Sequence, residues 1–230
     1  MGGSAVESPL HRAPDGLKLI ETAHWDGAAC RFLDRHLARL ADGARRLGWH
    51  LPVLRGAFAG PAGRAARLRL LVGADGVASV ETAPLPAPVA RWHVGLSGER
   101  LRSDDPWLRI KSTHRPAYDA ARRALPEGLD EVLLLNERGE VCDGSITTVF
   151  FDRGAGMRTP PLASGVLPGV LRSEMIARGV REEVLVPHDL PLIRLWLGNA
   201  LRGMGEAVFV PDQARVSEPG SRGGGGQMPR

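Results

Sequence analysis

The sequence predicts an α/β (α+β) protein built as two domains. Residues 31–47 repeat apolar side chains every three or four positions, which is typical of an amphipathic helix. Residues 66–82 alternate apolar and polar side chains on both sides of Ala74-Asp75-Gly76, which indicates a β-hairpin. A polar stretch at 101–107 separates two such mixed halves, and 230 residues are enough for two small domains that share a core.

The first half contains one predicted helix among several predicted strands. Residues 17–25 partly alternate and end at Asp26-Gly27, a strong turn signal, so they indicate a strand. The helix at 31–47 ends before Gly48, and a weaker helix is expected at 55–64. After the hairpin, three prolines within 83–89 favour an extended segment, and 91–96 is predicted to be a strand.

The second half alternates predicted helices and strands around a Gly/Pro-rich loop at 159–169. We expect helices at 116–125 and 170–178, strands at 131–136, 147–151 and 207–210, a turn at 137–140, and a short helix or strand after 188–191. The resulting organisation is a flexible lead at 1–16, an N-terminal domain at 17–105, a C-terminal domain at 106–214 and a flexible Gly-rich tail at 215–230.

Composition and charge exclude several classes of protein. The net charge is +4 with a pI near 9.8, but the basic residues are interleaved with acidic ones, so we expect no nucleic-acid surface. No apolar run approaches the roughly 20 residues that span a bilayer, and residues 1–14 do not resemble a signal peptide. We therefore expect a cytoplasmic protein without membrane contact. Cys30 and Cys142 lack metal-ligand spacing, so we expect neither a disulfide nor a metal site.

Lysine is scarce in this chain, and the scarcity singles out two residues. Of 30 basic residues only Lys18 and Lys111 are lysines, so 28 are arginines. Arginine can replace lysine where only positive charge is needed, but it cannot lose its proton and act as an amine. Either lysine is thus a candidate for amine chemistry, and the alternative is that both remained by chance.

Several short motifs follow one another in a recognisable order. They are Glu21-Thr22, His36-x-x-Arg39-Leu40, Lys111 with Arg115, Gly139 to Gly144, Thr159-Pro-Pro-Leu, Gly165 to Gly169, Arg172, and Asn199-Ala200-Leu201-Arg202-Gly203. Their order and spacing resemble the class IV aminotransferases, pyridoxal-phosphate enzymes of fold type IV that include aminodeoxychorismate lyases. The resemblance covers about residues 17–210 and implies a homodimer with the cofactor between the two domains.

The resemblance assigns a cofactor role to several side chains. Lys111 matches the lysine that forms the Schiff base with pyridoxal 5'-phosphate and then moves the α-proton of the substrate. Arg39 matches the phosphate-contacting arginine, although it is also one of several arginines on its helix. Asp143 stands where a glutamate typically faces the pyridine nitrogen, and the alternative is an ordinary Asp-Gly turn.

Further positions complete the expected site. Val170 and Leu171 begin a helix whose free N–H groups would face the phosphate, although Leu171 stands where many members of the family have threonine. Thr148 stands where asparagine is common. Asn199 and Ala200 match a segment close to the substrate, and Arg91 is a candidate clamp for a substrate carboxylate.

The resemblance implies an aminotransferase that acts on a small amino acid and keto acid pair. One alternative is 4-amino-4-deoxychorismate lyase, which releases pyruvate and p-aminobenzoate. The departures at Asp143, Thr148 and Leu171 motivate another alternative, a catalytically silent protein that binds the cofactor.

Overall fold

A computed structural model describes residue 10 and residues 13–211. The strands are β1 Leu19–Trp25, β2 Ala66–Val72, β3 Ala78–Ala83, β4 Trp92–Leu101, β5 Glu131–Asn136, β6 Val141–Gly144, β7 Thr148–Asp152, β8 Arg158–Thr159, β9 Arg181–Glu182, β10 Arg194–Asn199 and β11 Gly203–Phe209. The α-helices are α1 Leu33–Leu47, α2 Pro116–Arg123 and α3 Val170–Ala177. Short 3-10 helices are Arg55–Phe58, Pro106–Arg109, Leu162–Ser164 and Pro187–Leu192.

The smaller sheet is antiparallel, in the order β1-β2-β3, and α1 packs on it. Buried side chains alternate along β2, as the sequence pattern predicts for a strand with one face on the core. Helix and sheet approach closely at Gly43, where a Cβ atom would lie 3.0 Å from a methyl carbon of Leu19. The small residue at 43 therefore lets the middle of α1 sit directly on β1.

The larger sheet is mixed, in the order β6-β5-β4-β11-β10-β7-β8-β9. Strand β4 pairs in parallel with β5 and with β11. Strand β5 is buried on both faces, with Val132 and Leu134 in one apolar cluster and Leu133 and Leu135 in another. A central strand enclosed in this way is a rigid support for the residues that follow it.

The chain crosses from the smaller sheet to the larger one, returns, and crosses again to reach β5. Strand β4 lies in the larger sheet although residues 17–105 are the predicted N-terminal domain. Residues 84–91, between β3 and β4, form the first crossing. The second crossing is 102–110, after which residues 111–113 return to β1: the N–H of Ile20 donates to the carbonyl of Lys111, and Leu19 bridges to Ser112.

Most predicted elements are present, with some corrections. The helix expected at 55–64 is wrong, since only Arg55–Phe58 forms a single 3-10 turn. The strand expected at 91–96 extends to Leu101. Residues 141–144, where an Asp-Gly turn was the alternative, form strand β6. Residues 194–199, which the pattern left undecided, form strand β10 between β7 and β11.

Some expectations concern residues outside the described ranges. The predicted flexible lead, apart from residues 10 and 13–16, and the whole predicted tail at 215–230 lie there. Within the described ranges no helix is long and apolar enough to cross a membrane. Over the same residues there is no group of three or more His, Cys, Asp and Glu side chains placed to hold a metal ion. Cys30 and Cys142 are buried free thiols.

Candidate active site

Lys111 lies where the second crossing meets the smaller sheet. Ile110 packs into the core of that sheet, so Lys111, the next residue of an extended segment, faces the other way. Lys111 is half-buried, whereas Lys18 is exposed. The pKa of Lys111 is lowered from 10.5 to about 7. The largest cause is the loss of hydration on burial, and the next largest are the nearby positive charges of Arg39 and Arg115. The lowered pKa gives Lys111 a larger neutral, nucleophilic fraction near pH 7 than an ordinary lysine has.

Arg39 is held by a buried carboxylate on β1. Nε and Nη2 of Arg39 donate to the two oxygens of Glu21 at 2.8 and 2.6 Å, and Nδ1 of His36 donates to Glu21 at 2.6 Å. Burial alone would raise the pKa of Glu21, but the charge of Arg39 and these hydrogen bonds outweigh it and bring the pKa to about 2. Among the described residues, Glu21 engages Nε and Nη2 of the guanidinium, and Nη1 of Arg39 remains available to another anion.

Asp143 presents an unpaired carboxylate oxygen. It lies buried on β6, where Oδ2 accepts from the N–H of Leu167 at 2.7 Å, while Oδ1 is buried without a hydrogen-bond partner among the described residues. Burial raises the pKa of Asp143 to about 7, against the hydrogen bond from Leu167 and the charges of Arg172 and Lys111. An unpaired buried oxygen costs about 1–3 kcal/mol, which a ligand that donates to Oδ1 would recover.

The first turn of α3 provides N–H groups. Gly169 precedes it and has no side chain that could cap Val170 or Leu171. The side chain of Thr148 approaches Gly169 closely, because a Cβ atom at position 169 would lie 2.8 Å from Oγ1 of Thr148. The side chain of Leu171 belongs to an apolar cluster, so this residue can offer only its backbone to an anion.

The loop between β10 and β11 lies against β1. Oδ1 of Asn199 accepts from the N–H groups of Leu201 and Arg202, and its amide donates to the carbonyl of Ile146 at 3.1 Å. Nδ1 of His24 on β1 lies 3.1 Å from the carbonyl of Leu201. Asn199 thus fixes the shape of this loop beside the turn that follows Asp143.

Two predicted substrate residues differ in their surroundings. Ala200 is buried within the β10–β11 loop. Arg91 is exposed and forms an ion pair with Glu206 at 3.1 Å, which engages its guanidinium at the surface. The carboxylate-clamping role of Arg91 stays a prediction.

Sequence reasoning missed a further buried carboxylate, that of Glu131. It accepts from the N–H groups of Ser145 and Ile146 at 3.0 and 3.1 Å, and from the hydroxyls of Ser145 and Thr147 at 2.5 and 3.0 Å. Glu131 therefore fixes the turn between Asp143 and Thr148. The only signal in the sequence was a single acid at the start of an otherwise apolar strand.

The chemistry of these residues fits pyridoxal phosphate. The orphaned oxygen of Asp143 suits a protonated ring nitrogen, Lys111 suits the aldehyde carbon, and Arg39 with the start of α3 suits a phosphate dianion. The arrangement fits one class of protein, the pyridoxal-phosphate enzymes with a mixed α/β fold.

Comparisons with known proteins identify the family. The model of the class IV amino-transferases matches residues 18–208, so the chain belongs to that family. This match and the solved structures that resemble the chain confirm the predicted family and fold. Members of the family depend on pyridoxal phosphate, which confirms the predicted cofactor class.

Individual relatives differ in their assignments. A solved structure of a candidate amino-acid aminotransferase from Mesorhizobium loti has 40% identity and a TM-score of 0.78, covering 84% of this chain and 100% of that one. A candidate 4-amino-4-deoxychorismate lyase has 28% identity and a TM-score of 0.72, covering 92% of each chain. A candidate branched-chain-amino-acid aminotransferase from Thermotoga maritima is 32% identical over 38% of this chain, which spans only 31% of that relative.

Proposed function

We propose that this chain is a pyridoxal-phosphate-dependent aminotransferase that transfers an amino group between a small amino acid and a keto acid. The observation that carries the proposal is Lys111, a half-buried amine whose pKa is lowered to about 7 partly by the charge of Arg39, and whose own charge acts on the buried carboxylate of Asp143. The 40% identity to the candidate amino-acid aminotransferase supports the transferase over other chemistry in the family.

Each residue has a distinct task in this proposal. When bound, pyridoxal phosphate withdraws electrons from the bonds of the substrate α-carbon. Nζ of Lys111 accepts the proton from that carbon and returns it, which a group with a pKa near 7 does well in both directions. Asp143, when ionised, keeps a proton on the ring nitrogen. Arg39 and the start of α3 anchor the phosphate, so the reacting carbon stays within reach of Lys111.

The proposed function is tested by separating binding from turnover. Purified protein mixed with pyridoxal phosphate should develop the visible absorbance of the bound cofactor. A panel of amino-acid donors with keto-acid acceptors, headed by branched-chain amino acids because of the curated relatives, should then yield a new amino acid. Absence of the absorbance, or its presence without any product, contradicts the aminotransferase.

Aminodeoxychorismate lyase is a second candidate function. The 28% identity over 92% of a candidate lyase favours it. The same Lys111 would then move the proton as pyruvate leaves the substrate and p-aminobenzoate forms. Release of pyruvate and p-aminobenzoate from aminodeoxychorismate, with no amino transfer, supports the lyase. Cofactor binding with neither set of products supports the silent protein.

Assembly and location are also proposals. We expect a homodimer, as is typical of the family, and sedimentation of the purified chain measures its mass directly. We expect the protein in the cytoplasm, and fractionation of the source cells tests that expectation.

A further inference from the structure

The proposed phosphate cradle is assembled from two separate parts of the molecule. Arg39 belongs to α1, which packs on the smaller sheet, whereas Val170 and Leu171 begin α3, which packs beside β10 of the larger sheet. A phosphate held by both parts requires a fixed distance between the two helices. The contacts between α1 and α3 therefore bear on cofactor affinity.

One ion pair joins the two helices directly. Nε of Arg35 on α1 donates to Oε2 of Glu174 on α3 at 2.7 Å. Arg35 precedes Arg39 by four residues, and Glu174 follows Val170 by four residues, so on each helix the two residues share a face, one turn apart. The Arg35–Glu174 pair thus lies one turn away from the cradle on both sides.

An apolar contact at the start of α1 adds to this bridge. Phe32 precedes the helix with φ of 58°, the left-handed conformation that non-glycine residues rarely adopt. Its side chain packs against the cluster of Phe150, Leu171 and Val180. Leu171, which stands where the family often has threonine, is part of this cluster, so the cluster packs the start of α1 against the first turn of α3.

We propose that Arg35 and Glu174 are positioning residues that hold the two halves of the cradle at the spacing required by a phosphate monoester. This inference rests on the proposed cofactor site. The second partner of Glu174 is Arg178, whose Nε donates to Oε1 at 2.7 Å within the same helix. Arg178 does not join α1 to α3 through this pair, so it provides a matched control.

The test measures pyridoxal phosphate affinity, by absorbance, for Arg35→Ala, Glu174→Ala, the double variant and Arg178→Ala. Each of the first two should weaken binding about threefold to fivefold, the double variant no further than the stronger single change, and Arg178→Ala not at all. Exchange of the charges in Arg35→Glu with Glu174→Arg should restore most of the affinity lost in Arg35→Glu. High salt should shrink the difference between wild type and the single variants.

Two readouts separate positioning from other effects. Pyridoxal, which has the aldehyde and ring but no phosphate, should bind wild type and all variants equally. A parallel loss of pyridoxal affinity overturns the proposal, because the cradle would not be the affected part. If Arg35 acted only through its charge, Glu174→Ala would tighten phosphate binding, and that result also overturns it. Wild type that fails to bind pyridoxal phosphate contradicts the proposed function and this inference together, whereas unchanged variants contradict this inference alone.

Discussion

The buried carboxylate of Glu21 should stabilise the protein strongly, and Glu21→Gln removes its charge while keeping its shape. The interval between its ordinary pKa of 4.5 and its folded value of about 2 corresponds to about 3 kcal/mol, at about 1.36 kcal/mol per pH unit. Glutamine also leaves the largely buried guanidinium of Arg39 without a counter-charge. We expect the free energy of unfolding at pH 7 to fall by about 3 kcal/mol.

Urea denaturation followed by tryptophan fluorescence measures this loss, with Glu81→Gln as the control. Glu81 pairs with Arg67 at the surface, so its change should cost less than about 0.5 kcal/mol. Because the folded pKa of Glu21 is depressed, its stabilisation is fully present above pH 4.5 and is lost as the pH falls toward 2. A loss below about 1 kcal/mol at pH 7, or a loss that does not shrink on acidification below pH 4.5, refutes the reasoning.

Three further predictions concern the site and its support. Asp143→Asn should retain cofactor binding through Lys111 but lower kcat by at least about 100-fold in steady-state assays, and an unchanged kcat contradicts the role of the carboxylate. The rate of cofactor binding should rise with pH through about 7, since only the neutral amine of Lys111 reacts; stopped-flow absorbance that shows the rise near 10.5 speaks against the lowered pKa. Gly198→Ala should prevent stable folding because its Cβ would lie 2.2 Å from the carbonyl oxygen of Gly203, whereas Gly98→Ala meets nothing within 4 Å; equal melting temperatures contradict this.

Local pattern is enough to predict the elements that support the site. The three- and four-residue spacing of apolar side chains predicts α1, and the apolar run of β5 predicts that strand at its observed bounds. The scarcity of lysine and the order of the motifs point to Lys111. These signals lie within short segments of the chain, and a single sequence therefore displays them.

Long-range pairing explains what the sequence did not show. Strand β4 belongs to the larger sheet because it pairs in parallel with β5 and β11, and parallel pairing leaves no local signal. The contact of Glu21 with Arg39 joins residues 18 apart on different elements. The bond between Leu167 and Asp143 joins residues 24 apart, and a strand forms at Asp143 in place of the alternative Asp-Gly turn.

Lys111 is the residue that we propose carries the cofactor, and this assignment can be measured directly because the chain has only two lysines. Borohydride reduction of the protein mixed with pyridoxal phosphate makes the covalent linkage permanent, and peptide mass spectrometry then locates the tag. We predict the tag on the peptide that contains Lys111 and not on the exposed Lys18. A tag on Lys18 or on the terminal amine alone, or no tag at all, contradicts the assignment.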